Sequence, residues 1–317
     1  MTVSNDSNDP SEKEVISMMQ CLLMGSDEVF LRYYNLFRMY EETGKIRIAG
    51  VSFTHMRATT EFYSEILGYR NILPEELDYD PEWYVLVMAD GELSQQLTGM
   101  LAEAGIPEKK IIPYRVLLIW DLDIERYLQL RADPPTVFAN NCIGGILFNR
   151  LGLRFQSPFI NLWLDQSDYL RFLETPQDYM RQELVYLRDE YEEILKRDYP
   201  VCGLGDVELH FNHYADFDQA KAAWDRRKAR IRWDRLLVLM HTEKPEQAAA
   251  FSALPYEKKL CFVPFETDDP SLCYLDINRP EHHFWDLVNS IAGDNPYLDI
   301  VELLLECRVR KLSVKRG

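Results

Sequence analysis

The chain has 317 residues, of which 47% are hydrophobic and 12% aromatic. This length is about twice that of a common domain, so we expect two domains with separate cores, and the composition excludes general disorder. The formal net charge of −17 excludes the broad basic surface that binds nucleic acid or anionic lipid without sequence preference. An anionic ligand would therefore need a local cluster of basic side chains.

Cysteine usage and the N-terminal sequence predict a cytoplasmic protein with reduced thiols. The six cysteines are dispersed, with no CxxC pair and no grouping typical of metal ligands, so we assign no metal site. The first residues are polar and acidic and contain no apolar signal segment. No apolar run approaches the roughly 18 residues that a transmembrane helix needs, so no membrane span is expected. The sequence leaves the oligomeric state open.

The first 133 residues are predicted to form N-terminal helices followed by a Rossmann-like α/β domain. Apolar residues recur at helical spacing from Val15 to Leu22 and again from Val29 to Phe37, with a break at Gly25. Beyond residue 45, predicted strands and helices alternate, which is typical of a parallel sheet covered by helices. The predicted strands are Ile46–Gly50, Trp83–Met88 and Ile111–Trp120, and the predicted helices cover residues 60–67 and 92–104. The turn after Gly50 has one of the three glycines of a dinucleotide loop, so no cofactor is assigned.

Asp133-Pro134-Pro135 marks the expected domain boundary, because two prolines cannot continue a helix. Residues 134–317 then form a second α/β domain, so the fold class is two three-layer α/β/α units with mainly parallel sheets. Thr175-Pro176 is a good helix start, and we expect one long amphipathic helix from there to Lys196. The predicted strands of this domain are Thr136–Ala139, Phe159–Leu164, Val207–Phe211, Leu236–Met240, Lys259–Pro264 and Cys273–Ile277, and two helices centred near Leu287 and Leu303 close the chain.

A turn between a predicted strand and helix is the first candidate site. It has the sequence Asn140-Asn141-Cys142-Ile143-Gly144-Gly145. Backbone N–H groups at such a turn can bind an anion or stabilise a thiolate, which would make Cys142 a nucleophile. Alternatively, Cys142 is a buried structural residue, and the two glycines allow the helix to pack closely on the sheet.

Polar residues alternate with apolar ones along the strand that starts near Asp206. Asp206, Glu208 and His210 are expected to share one face, while Val207, Leu209 and Phe211 face the core. Carboxylates beside a histidine can act as acid and base. The alternative is an edge strand with a solvated polar face. His213, three residues beyond His210, should lie on the opposite face.

A basic segment, Trp224–Arg235, stands out in this acidic chain. Arg226 and Arg230 lie four residues apart on a predicted helix and would point outward together. They could clamp a phosphate or carboxylate, since guanidinium groups bind such anions bidentately. The alternative is that these cations compensate the dipole at the helix C-terminus.

Several motifs in this order resemble a bacterial family, the domain of unknown function 1919 family, which is commonly labelled exopolysaccharide biosynthesis protein. The motifs are the Asn140–Gly145 turn, Leu151-Gly152-Leu153-Arg154-Phe155, Tyr199-Pro200-Val201, Gly205–Tyr214 and Trp224–Asp234. The resemblance covers residues 134–240 well and the rest of the second domain loosely. It implies a role in surface polysaccharide synthesis, often with a preceding Rossmann-like unit, and it identifies no catalytic residue. Here Ile143 replaces an expected aromatic residue.

From the residues and the resemblance we expect a sugar or nucleotide-sugar transferase that takes a small or sugar-linked anionic substrate. Asp206, Glu208, His210 and Cys142 would be catalytic, while binding would involve the turn, His213 and the two arginines. The specific binding residues are Asn140, Asn141, Gly144, Gly145, His213, Arg226 and Arg230. Two alternatives stay open: a cysteine-dependent acyltransferase or hydrolase using Cys142 with a histidine base, and a scaffold without catalysis.

Overall fold

The chain divides between Ile111 and Ile112 into two units. A computed structural model describes residues 18–55, 59–72, 80–193, 196–275, 283–294 and 296–311. This division precedes the Asp133–Pro135 boundary expected from the sequence. The helix before Asp133 belongs to the second unit, where the Tyr127 hydroxyl donates a hydrogen bond to the carbonyl of Leu151 at 3.0 Å.

The first unit is built on a four-stranded sheet in the order β2-β1-β3-β4, and the division between the units falls inside its last strand, β4, after Ile111. Its elements are β1 (Met19–Ser26), α1 (Asp27–Arg32), α2 (Tyr34–Glu42), β2 (Ile46–His55), a π-helical turn (Phe62–Ile66), β3 (Tyr84–Met88), α3 (Gly91–Glu103) and β4 (Ile111–Pro113). β1 runs parallel to both β2 and β3. The alternation of strands and helices that the sequence indicated for this unit is confirmed, but the strand predicted at Ile111–Trp120 ends at Pro113, and a 3-10 helical turn, Tyr114–Leu118, follows.

The helix predicted at Met18–Leu22 is wrong, because these residues lie in β1 apart from Met18, which precedes it. A strand covered on both faces has a continuous apolar run, which also satisfies helical spacing over so few residues. Val15 lies outside the described residues. β1 is an inner strand, with β2 on one side and β3 on the other, so the strand order reverses direction at β1. The turn at this topological switch point is Gly25-Ser26-Asp27, after β1, and not the segment after Gly50.

The second unit contains two sheets. Its elements are α4 (Ile124–Ala132), β5 (Thr136–Ala139), α5 (Ile143–Arg150), α6 (Gln166–Glu174), α7 (Pro176–Arg181), β6 (Val185–Glu192), β7 (Arg197–Leu204), β8 (Val207–His210), α8 (Phe217–Lys228), β9 (Leu236–His241), α9 (Pro245–Ser252), β10 (Lys259–Val263), β11 (Leu272–Tyr274), α10 (His283–Ala292) and α11 (Ile300–Glu306). The larger sheet is parallel, in the order β11-β10-β9-β5. The other, β6-β7-β8, is antiparallel.

Most predicted strands of this unit are present, and two predictions are wrong. Residues 159–164 form no strand; only Trp163 pairs with a neighbour, His210, as an isolated bridge. The long helix predicted from Thr175 to Lys196 ends at Arg181 as α7, and β6 follows. Every described side chain of β6 is exposed or half-buried, so the strand lacks the apolar alternation that would distinguish it from a charged helix. The end of the predicted strand Cys273–Ile277 lies outside the described residues.

One apolar cluster joins both sheets of the second unit to α6 and α8. Among its fully buried aromatic residues are Phe138, Phe159, Phe172 and Trp224. This core fixes the β6-β7-β8 sheet relative to β5 and β9, and those elements carry the candidate site. Among the described residues, no helix combines the length and apolar character required to cross a membrane.

Candidate functional site

β8 presents two different faces, as its alternating sequence predicts. Val207 and Leu209 are buried in the core, whereas Glu208 is half-buried on the other face. Asp206 is not part of this row, because it lies in the turn between β7 and β8 next to Gly205, whose φ is 64°. Its carboxylate accepts a hydrogen bond from the Tyr179 hydroxyl at 2.6 Å, which directs it toward α7.

Five side chains form a connected polar network on the β6-β7-β8 sheet, which we call the His210 cluster: Arg188, Glu190, Tyr199, Glu208 and His210. Arg188 donates to Glu190 Oε1 at 2.6 Å and to both carboxylate oxygens of Glu208, at 3.0 and 2.7 Å. The Tyr199 hydroxyl donates to Glu190 Oε2 at 3.0 Å. The same oxygen lies 3.3 Å from His210 Nδ1. Glu190 is therefore the centre of the network.

The imidazole of His210 is held in a fixed orientation. It stacks on the ring of Trp163, with centroids 3.8 Å apart and an angle of 9° between the planes. His210 is only 8% exposed, and its buried Nδ1 lies 3.3 Å from Glu190 Oε2, close enough for an ion pair but outside hydrogen-bond geometry. Nε2 is therefore the ring nitrogen that could exchange a proton with a ligand.

The environment of His210 favours its neutral form. Burial lowers the pKa of His210, although the neighbouring carboxylates Glu190 and Glu208 act in the opposite direction. The hydrogen bonds from Arg188 lower the pKa of Glu208 despite its partial burial. For Glu190, burial alone would raise the pKa, but the hydrogen bonds from Arg188 and Tyr199 outweigh it and the pKa is lowered. At neutral pH the pair is thus a carboxylate beside a neutral imidazole, as a general base requires.

Backbone hydrogen bonds connect the His210 cluster to the Asn140–Gly145 turn. The N–H of Trp163 donates to the carbonyl of His210 at 3.0 Å, and the N–H of Leu164 donates to the carbonyl of Asn140, also at 3.0 Å. Trp163 thus pairs with β8 while its neighbour pairs with the end of β5. The carboxyl ends of β5 and β9 therefore lie near the stacked Trp163–His210 pair, at the edge where open α/β sheets bind ligands.

The two asparagines of the turn have structural partners. Asn140 joins two strands, because its amide donates to the carbonyl of His241 at 3.2 Å and its Oδ1 accepts from the His241 N–H at 3.1 Å. Asn141 Oδ1 accepts a hydrogen bond from the N–H of Ile143, the first residue of α5, at 3.1 Å. The side-chain amides of both asparagines are therefore largely used in hydrogen bonds within the protein and are less available to a ligand.

The glycines of the turn fit the packing interpretation. A Cβ at Gly144 would lie 3.2 Å from Val137 Cγ1, and one at Gly145 would lie 3.3 Å from Ile160 Cγ2. Such distances are tighter than ordinary van der Waals contact. Both positions therefore allow α5 to approach its neighbours closely.

Cys142 lies at the start of α5, at the expected strand-to-helix turn. Burial raises the pKa of its thiol, so the thiol form predominates at neutral pH. All six cysteines are free. The geometry does not activate Cys142 as a nucleophile in the way the cysteine hypothesis requires.

The remaining predicted residues are spread over the surface of the second unit. Arg230 donates to the carbonyl of Phe155 at 3.1 Å, while Arg226 is exposed and has no hydrogen bond or ion pair within the described ranges. His213 is exposed and makes no hydrogen bond to the His210 cluster in the described structure. Within the described ranges, neither Arg226 nor His213 is joined to the cluster by a hydrogen bond or an ion pair.

Sequence reasoning missed Arg188, Glu190, Tyr199 and Trp163, which surround Glu208 and His210. The sequence predicts a helix over Arg188 and Glu190, in which residues two apart face different directions, whereas on β6 they share a face. Charged residues occupy consecutive positions from Arg188 to Glu190, so the segment offers no alternation from which this shared face could be predicted. Within the described ranges, no group of three or more His, Cys, Asp or Glu side chains could hold a metal ion.

Comparison with known proteins places this site within a recognised sequence family. Residues 114–304 match the family model described as "Domain of unknown function (DUF1919)". An uncharacterized protein of Haemophilus influenzae is 36% identical over 147 residues, which cover 44% of this chain and 68% of that protein. The residues matched by the family model include every member of the His210 cluster and the Asn140–Gly145 turn. The chain belongs to the domain of unknown function 1919 family.

Proposed function

We propose that this protein acts in surface polysaccharide synthesis as a sugar or nucleotide-sugar transferase, with the Glu190–His210 pair as general base. The observation that carries the proposal is the fixed, neutral imidazole of His210, stacked on Trp163 and backed by Glu190. The polysaccharide context rests on the resemblance of the motifs to proteins that carry that label.

In the proposed reaction, His210 Nε2 accepts the proton of an acceptor hydroxyl. The hydroxyl oxygen bonds to the anomeric carbon of the donor, and the bond from that carbon to the nucleotide phosphate breaks. The electron pair leaves with the phosphate, and Glu190 stabilises the imidazolium that forms. The stack on Trp163 holds the ring in the required orientation, which reduces the entropic cost of positioning.

Glu208 and Arg188 would act on Glu190 and not on the substrate. Arg188 bridges the two carboxylates, and it thereby fixes the orientation of Glu190 beside His210. Both residues are positioning residues in this proposal. The Asn140–Gly145 turn would form the adjoining wall.

The alternative of a cysteine-dependent acyltransferase or hydrolase has less support. The raised pKa of Cys142 lowers its thiolate fraction, and no hydrogen bond joins Cys142 to His210 or His213 in the described structure. In a scaffold without catalysis, the His210 cluster would be a structural element with the same geometry. An assay of transferase activity therefore distinguishes the scaffold from the transferase.

The test measures nucleotide release from a panel of UDP-, GDP-, CMP- and dTDP-linked sugars, with and without oligosaccharide acceptors. Wild-type protein should release nucleotide from donors of one of these four classes. His210→Ala should reduce the rate of that release by about 100-fold or more. Glu190→Gln should also reduce it. Asp189→Asn is the matched control. Asp189 lies between Arg188 and Glu190 on β6, but its side chain is on the opposite face of the sheet, where it interacts with Tyr186.

Two results would contradict the proposal in different ways. The absence of nucleotide release from every donor by folded wild-type protein would contradict the transferase and favour the scaffold. An undiminished rate in folded His210→Ala would contradict the assignment of His210 as general base. Far-ultraviolet circular dichroism and thermal unfolding of each variant establish that the fold is retained.

A further inference from the structure

A groove lies at the opposite end of the parallel strands from the His210 cluster. It is a cavity of about 590 Å³ beside Pro135, Leu236 and Lys258, which lie at the amino ends of β5, β9 and β10. A second cavity, of about 280 Å³, continues it, and Gln177 and Trp233 line both. We call the two cavities together the Trp233 groove.

Trp233 forms a fixed aromatic surface in the middle of this groove. The residue is 37% exposed although it is a tryptophan in a well-packed unit. Its ring meets the buried ring of Phe138 edge-on, with centroids 5.8 Å apart and an angle of 86°. The turn that carries it is fixed by ion pairs from Arg232 and Arg235 to Asp133.

Three polar side chains of the groove are available to a ligand. Glu174, Gln177 and Glu257 are exposed and have no hydrogen-bond partner in the described part of the chain. Of the neighbouring cations, Arg235 pairs with the carboxylate of Asp133, whereas Lys258 donates to the backbone carbonyl of Leu305 at 2.6 Å and keeps its charge. Across the two cavities the lining holds four acidic side chains, Glu174, Asp178, Asp234 and Glu257, and four basic ones, Arg181, Lys228, Arg235 and Lys258. These formal charges balance, so the groove as a whole suits an uncharged ligand better than an anion.

We propose that the Trp233 groove binds a neutral oligosaccharide chain. The C–H face of a sugar ring packs on an aromatic ring, whose face carries partial negative charge. Sugar hydroxyls donate hydrogen bonds to carboxylates such as Glu174 and Glu257. The volume is within the range of sites for small molecules, and its continuation past Trp233 suits a chain better than a single sugar.

This site is independent of the proposed transferase chemistry. The Asn140–Gly145 turn and His241 lie at the carboxyl ends of β5 and β9, and the groove lies at their amino ends. A groove that holds a glycan chain would serve a transferase, but it would equally serve a protein that only binds glycans. The two proposals can therefore fail separately.

The test uses full-length protein labelled with 5-fluorotryptophan and ¹⁹F NMR. The Trp233 signal is identified by its loss in Trp233→Phe. We expect at least one of maltotetraose, cellotetraose and chitotetraose to shift that signal. Trp233→Ala should weaken binding of that probe, measured by calorimetry, by about tenfold. Trp120→Ala is the control, since Trp120 is 50% exposed but lies outside the groove.

A double variant, Glu174→Gln with Glu257→Gln, keeps the fold because both side chains are exposed, and it should also weaken binding. His210→Ala should bind the oligosaccharide as wild type does. Tetramethylammonium and UDP serve as a cationic and an anionic comparison ligand. The proposal is overturned if no oligosaccharide shifts the Trp233 signal, or if only one of these charged ligands shifts it. Unchanged affinity in both the Trp233→Ala and the double variant would overturn it as well.

Discussion

Burial determines the chemistry of Cys142 more than its position at the start of α5 does. Because burial raises the pKa of the thiol, dilute iodoacetamide at neutral pH should label Cys142 no faster than it labels a free cysteine. The measurement is mass spectrometry of the native protein over time, with Cys142→Ser as control and denatured protein to label all six thiols. Rapid labelling that Cys142→Ser abolishes would restore the nucleophile hypothesis.

Close packing gives Gly144 and Gly145 their structural role. Substituting either with alanine should reduce the free energy of unfolding by about 1–3 kcal/mol, because the new methyl group must displace Val137 or Ile160. Gly99 is the matched control: it lies inside α3 with open space around it, so Gly99→Ala should stabilise by about 0.5–1 kcal/mol. Urea unfolding measures both. Neutral substitutions at 144 and 145 would contradict the packing interpretation.

At the scale of elements, the sequence predicted strands with flanking turns well and misassigned β1 and β6. β1 is apolar on both faces, and over eight residues such a run satisfies helical spacing as readily as strand spacing. β6 is an edge strand with exposed charges, so no core face marks its period of two. In both cases the partners that decide the structure are strands distant in sequence.

The position of β6 at the sheet edge predicts its dynamics. Its side chains are exposed or half-buried, whereas β9 is buried between β10 and β5. Hydrogen exchange of backbone amides should therefore proceed in β6 well before β9, because edge segments open with smaller free energies. Mass spectrometry of peptic fragments measures the order. Equal protection of the two strands would contradict the exposed edge.

For the whole molecule, the division at Ile111/Ile112 predicts which fragments fold. Residues 112–317 retain α4, in which Tyr127 and Leu130 are buried, and should unfold cooperatively. A fragment of residues 134–317 loses that helix and should be less stable by at least about 3 kcal/mol, given the apolar surface that it exposes. Urea unfolding of the two fragments beside the full chain is the measurement. Equal stability would instead support the boundary at Asp133–Pro135.

The candidate site could be predicted only in part, because it forms between elements that are distant in sequence. Alternation along β8 identified Glu208 and His210 as neighbours on one face. Glu190 reaches them through the hairpin of β6 and β7, and Trp163 reaches them through a single bridge to His210. Local patterning carries no information on either contact. Asp206 was assigned to the same face because the turn at Gly205 was not anticipated.

The most direct test of the central claim is the titration of His210 by NMR of ¹⁵N-labelled imidazole. Burial beside Glu190 predicts a pKa below the ordinary value of about 6.5, with the proton of the neutral ring on Nδ1. Addition of a nucleotide sugar that the protein uses should then shift the Nε2 signal, and Glu190→Gln should change the tautomer balance. A pKa at or above the ordinary value, or a neutral ring protonated on Nε2, would contradict the assignment of His210 as the general base.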